Sequence, residues 1–358
     1  MRKFNFYPGP STIATSVLEK MRAEFIEFED TGAAFFELSH RSGTVVDCQR
    51  RIVARLRQLM GVGDDYHVLL LHGGAIGQAA AIPMNLLRGK KQAAYAITGH
   101  WGRLAAGHAE AHCQVERCID TSPECTSIPP ADQWQVPADC AYVHFTDNET
   151  INGVEFQELP DLDGQLLVAD QSSNILSRPW PTDKVALTYA CLQKNIGPSG
   201  MAVVVVRKDL CGEQLPITPA IWNYAKQAKA DSMANTPATI QLRMLELVLD
   251  WTAEAGGAEE FGRRNRAKAD MLYDFIDASD FYANKVDPAV RSRMNIPFVL
   301  ADASLDDQFV TQAEEAGLIG LRGHRAVGGM RASIYNAMPE QGVSQLISFM
   351  QDFAAGNG

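Results

Sequence analysis

From residue 66 to about residue 201 the chain alternates short apolar runs with segments of helical period, and no other feature constrains the fold as strongly. The runs are YHVLLL (66–71), QAAYAI (92–97), CAYVHFT (140–146), QLLVAD (165–170), KVALTYAC (184–191) and MAVVVV (201–206). Most are apolar at consecutive positions, so both faces of each strand must be covered, as in a mostly parallel sheet between helix layers. Strands alternating with helices imply a doubly wound α/β domain. Near Ala255 the texture changes. AGGAEEFGRRNRAKADMLYDFIDAS is a charged segment of helical period, and fewer strands follow it. We read residues 16–254 as a large α/β domain, and residues 1–15 with 255–358 as a smaller α+β domain.

A formal net charge of -11 excludes a broad attraction to nucleic acid or an anionic membrane. An anionic substrate would need a local basic cluster. The seven cysteines are scattered, without a C-x-x-C pair, which fits free thiols in a reducing compartment. The opening MRKFNFYPGPSTI has no apolar signal segment, and no run approaches a membrane span. A cytoplasmic location is expected.

Ligands of open α/β sheets bind beyond the carboxyl ends of the strands, so the polar residues there are the candidates. HGGAIGQ (72–78) follows a strand and opens a helix, where backbone N–H groups can close around a phosphate. It is neither a Walker loop nor G-x-G-x-x-G, and a plain tight turn satisfies it equally. Asp170 ends an apolar strand. It either holds a proton on a heteroaromatic nitrogen or caps the next turn through the amides of Ser172 and Ser173. Lys194, in YACLQKNIGPSGMAVVVV, is either a surface lysine in a loop or, as the flanking apolar strands favour, a partly buried amine at a strand end, where burial makes it nucleophilic. Trp101, at the start of a helix in GHWGR, could stack on a flat ring or serve the core. Basic residues gather in SHRSG (His40, Arg41) and in RGHRAVGGMRASIYN (Arg322, His324, Arg325, Arg331). Arginines among glycines suit bidentate clamps for carboxylate or phosphate. His108, His112 and Cys113 in HAEAHC match no recognised metal spacing and are read as a solvated helix face, so no metal is expected.

Together these residues resemble the phosphoserine aminotransferases, fold-type-I pyridoxal-phosphate (PLP) enzymes of the class V aminotransferase group. The motifs run nearly end to end: FNFYPGP, SHRS, HGG, NETINGVEF, ADQSSNILSRP, QKNIGPSG, NTPAT and GHRAVGGMRASIYNAM. The resemblance implies a seven-stranded, mostly parallel sheet flanked by helices, a smaller C-terminal domain, and a homodimer with shared active sites. It implies that Lys194 carries PLP as a Schiff base and acts as general base, and that Asp170 pairs with the pyridine nitrogen. Trp101 would stack on the ring and Thr150 would bond its phenolic oxygen. The backbone at Ala75 and Ile76 and the Gln193 side chain would hold the cofactor phosphate, with Asn235 and Thr236 reaching in from the other subunit. Arg331 would bind the substrate α-carboxylate. His324 and Arg325, with His40 and Arg41 of the other subunit, would bind the substrate phosphate. The substrates implied are O-phosphoserine, glutamate and 2-oxoglutarate, in serine biosynthesis, and the phosphorylated hydroxythreonine of pyridoxine biosynthesis is a further candidate.

The chain departs from its group at GGAIGQ, where Ile76 offers a phosphate only its N–H. Another class V enzyme, such as a serine–glyoxylate transaminase, is the nearest alternative, and a non-catalytic PLP-fold sensor the alternative of a different kind. The paired basic clusters favour a phosphorylated substrate. Lys194 and Asp170 favour catalysis.

Overall fold

In a computed structural model, described for residues 2–325 and 327–357, a seven-stranded sheet forms the centre of the molecule. Its order is Tyr66–His72, Met201–Arg207, Leu187–Cys191, Leu167–Asp170, Val143–Thr146, Gln92–Ile97 and Gln114–Asp120. Met201–Arg207 runs antiparallel to both neighbours, and the other pairings are parallel. The expected α/β architecture is therefore present.

The interior strands are buried along their length. One face packs on the helices Gly74–Leu86 and His100–Ala109 through residues such as Leu71, Tyr95, Tyr142 and Val204. The other packs through Val68, Leu70, Val203 and Val205 on the helices Gly43–Met60 and Thr239–Glu254. Two helical layers on a parallel sheet leave no solvent-facing side, which is why its strands lack polar alternation.

A separate apolar cluster joins Phe6 to the helices Gly257–Asp277 and Glu340–Asn357 and to the strands Asn295–Leu300 and Met330–Ser333. Phe4–Asn5 pairs in parallel with Leu318–Ile319, which fixes the N-terminal segment to this cluster. A buried ion network links the cluster to the central sheet. Arg178 reaches Asp147 at 3.3 Å and Glu155 at 3.4 Å, and Arg293 reaches Glu155 at 3.0 Å.

The helix His100–Ala109 ends before His112, so HAEAHC is not one helical face. All seven cysteines are free thiols. Among the described residues no helix is long and apolar enough to cross a membrane.

Candidate active site

Beyond the carboxyl ends of the sheet strands lies a cavity of about 340 Å³ lined by Gly73, Gly74, Ala75, Ile76, Trp101, Asp170, Ser172, Cys191, Gln193, Lys194 and Gly200. The parallel strands deliver these groups to one edge, because each strand end is followed by a turn into the next layer.

The floor of the cavity is the HGGAIGQ turn. Gly73 and Gly74 have φ of 94° and 59°, left-handed values that a side chain tolerates poorly. A Cβ on Gly73 would also stand 3.3 Å from the Gly77 Cα. The turn opens the helix Gly74–Leu86, whose first N–H groups have no partner one turn back. Ala75 and Ile76, in that first turn, line the cavity, and the helix dipole adds attraction for negative charge there. The Ile76 side chain is half exposed and adds no polar group.

Lys194 projects across the cavity. Its Nζ donates to Thr150 Oγ1 at 2.6 Å and lies 5.1 Å from the centre of the Trp101 ring. Asp170 is buried, and one carboxylate oxygen accepts the Ser172 N–H at 2.8 Å. The turn-capping contact is thus real, yet the same carboxyl also lines the cavity. Burial raises its pKa, opposed by the Ser172 hydroxyl, Lys194 and Tyr189. A cation in the cavity would hold it ionised.

Two buried polar atoms at the walls have no partner, Gln193 Oε1 and Trp101 Nε1. Orphaned buried groups are costly, and in a cleft they mark places where a ligand completes the bonding. A flat ring between Trp101 and Asp170, with a phosphate over Ala75 and Ile76, fits these walls. PLP has that form.

Arg331 is 5 % exposed, on the strand Met330–Ser333. Its Nη1 donates to the Thr150 carbonyl at 3.3 Å, while its Nε is buried without a partner. The guanidinium is therefore next to Lys194's own partner and has donors to spare. His324 lies 5.7 Å, ring to ring, from His100, and Arg325 is exposed beside it. Arg322 turns away and pairs with Asp307 at 2.7 Å on the surface. His40, Arg41, Asn235 and Thr236 do not line the cavity of their own chain.

Three contributors escaped sequence reasoning. Glu149 is fully buried and accepts the N–H groups of Trp101 at 3.0 Å and Gly102 at 2.8 Å, which fixes the helix end that carries the indole. Burial pushes its pKa up to about 7 against those two bonds. Gly9 passes over Lys194 so closely that a Cβ would meet its Cγ at 3.2 Å. Tyr335 donates to the Pro8 carbonyl at 2.6 Å and holds that crossing in place. Glu149 in NETINGVEF carried a signal, an acid directly after a buried strand; Gly9 and Tyr335 carried none beyond their motifs.

Comparison with known proteins agrees with this geometry. Residues 3–346 match the family described as aminotransferase class-V. The phosphoserine aminotransferase of Nitrosomonas europaea is 46% identical over 99% of both chains, and that of Laribacter hongkongensis is 45% identical over 100% of both. A solved phosphoserine aminotransferase from Bacillus circulans subsp. alkalophilus superposes with a TM-score of 0.97 at 40% identity, covering 100% of this chain and 99% of that one. A PLP-bound phosphoserine aminotransferase from Trichomonas vaginalis gives 0.94 at 35%, covering 98% and 100%. With its strand ends, glycine turn and half-buried lysine arranged in this way, the chain belongs to the class-V aminotransferase family, among the phosphoserine aminotransferases.

Proposed function

We propose that the protein transfers the amino group between O-phospho-L-serine and 2-oxoglutarate, equivalently between glutamate and 3-phosphohydroxypyruvate, as a step of serine biosynthesis. The observation that carries this is Lys194, held by Thr150 above a glycine-lined anion cradle and between Trp101 and Asp170. Bound PLP supplies an electron sink for the substrate's Cα. The Ala75 and Ile76 N–H groups and Gln193 would hold its phosphate, with Asn235 and Thr236 of the partner subunit in a homodimer. Trp101 would cover the ring face. Asp170 would keep a proton on the ring nitrogen. The Lys194 amine would take the proton from Cα, and Thr150 would orient it. Arg331 would bind the α-carboxylate that every amino-acid substrate carries. His324 and Arg325, with His40 and Arg41 of the partner subunit, would receive the substrate phosphate. Division of the chain into a large unit (16–254) and a smaller one (1–15 with 255–358) would let the Arg331 strand close on the sheet edge.

The test is glutamate formation from 2-oxoglutarate with O-phosphoserine or with serine, PLP being present. O-Phosphoserine should be favoured at least about a hundredfold in kcat/KM, the worth of one to two charge-assisted contacts. The Lys194→Ala variant should turn over neither. Comparable rates with serine would remove the phosphate site from the proposal, and inactivity on both would remove transamination.

A further inference from the structure

His100 opens the helix His100–Ala109 between the indole and the basic loop. Its ring stands edge-on to Trp101 with centroids 5.2 Å apart, and tilted against His324 at 5.7 Å. It is only partly buried, and its backbone N–H goes to Asn152 Oδ1 at 3.4 Å. We infer that His100 is a specificity-determining residue, forming with His324 a paired-imidazole clamp that takes the dianionic phosphate of the substrate. This rests on the assignment of His324 to the substrate phosphate.

Two imidazoles this close repel when both are protonated, and an anion lying against both reverses that balance. The groups facing His100 are His324 from the loop before the strand Met330–Ser333, Arg103 one turn along its own helix, and neutral Asn152. Arg103 is bound to Ser122, beside Asp120. Glu149, under the same helix end, is turned to the Trp101 and Gly102 N–H groups. Burial, followed by His324 and Arg103, holds the His100 pKa below the usual imidazole range. Without an anion the ring is neutral near pH 7. A phosphate monoester, whose second pKa is about 6, is largely dianionic there, and its charge raises the proton affinity of the ring, which takes up a proton from solvent as the ester binds. A glutamate side chain brings a single charge. The clamp therefore favours phosphate over carboxylate in a site that must accept both.

The test compares the wild type with the His100→Gln, His100→Phe and His324→Gln variants in the two half-reactions, O-phosphoserine and glutamate, between pH 6 and 8.5. Phenylalanine keeps the ring contacts without the proton, so a folded His100→Phe variant separates packing from charge. Both His100 variants should raise KM for O-phosphoserine about tenfold, the size of one charge-assisted contact, and KM for glutamate less than twofold. The rise of wild-type KM for O-phosphoserine with pH should flatten in both. If His324→Gln is selective and the His100 variants are not, the clamp is wrong while the phosphate site stands. If no variant is selective, the assignment of His324 fails and takes the clamp with it.

Discussion

Replacing Arg331 by methionine should remove most of the activity while leaving the fold as stable as before, or more stable. Arg331 is 5 % exposed, and among the described residues it forms no ion pair with a carboxylate. Burial holds its pKa below the usual arginine value. A desolvated cation without a counter-ion costs several kcal/mol, and methionine removes that cost with little change in length. What the fold loses is one hydrogen bond of 3.3 Å to the Thr150 carbonyl, about 1 kcal/mol. Unfolding free energy should hold or rise by up to about 3 kcal/mol, a few degrees in Tm. Activity follows the opposite sign. A substrate carboxylate left facing a thioether forfeits about 2–5 kcal/mol. At about 1.36 kcal/mol per decade, kcat/KM falls roughly 30- to 5000-fold. The loss should be equal for glutamate and O-phosphoserine, since both carry the α-carboxylate. Thermal unfolding followed by circular dichroism, with the two half-reactions measured separately, checks all three statements. A marked drop in Tm with unchanged KM would make Arg331 a structural strut, and a loss confined to one substrate would assign it to the side chain instead.

Two further outcomes concern groups that support the site. Glu149 has a pKa raised to about 7, so it adds stability that is complete below its unfolded value near 4.3 and is lost as pH rises through 7. The unfolding free energy of wild type minus that of Glu149→Gln should fall by about 3 kcal/mol between pH 5 and 8, and a pH-independent difference in urea titrations would refute the account. Lys268 is 3 % exposed and donates to the carbonyls of Ile334, Tyr335 and Met338, each at 2.9 Å, pinning the segment that follows the Arg331 strand. Lys268→Met strands three buried acceptors and should cost roughly 3–5 kcal/mol in urea unfolding; a loss under about 1 kcal/mol would show that the carbonyls find other donors.

The sequence by itself determined where the buried strands lie, because a strand covered on both faces must be apolar throughout. It placed their starts early at 140, 165 and 184, since Ala141 and Tyr142, for example, are buried before the ladder begins at Val143. It passed over Gln114–Asp120 for the opposite reason. That strand is at the edge of the sheet, and much of QVERCID meets solvent, which dilutes the apolar signal. The strand ends also brought out Asp170, Lys194 and the glycine turn, since the chemistry of such a sheet collects there. Only the tertiary structure decided what those groups touch. The bond between Lys194 and Thr150 spans 44 positions, and that between Arg331 and Thr150 spans 181. Asp170 shows the division most clearly: its cap on Ser172 is local and was one of two readings open in the sequence, whereas its place in the cavity depends on Gly73, Trp101 and Lys194 arriving from three other connections. Periodicity records whether a residue is covered, and it does so within a few neighbours along the chain. Which residue does the covering depends on strand order and on how the helices pack, and that information is spread over the whole fold.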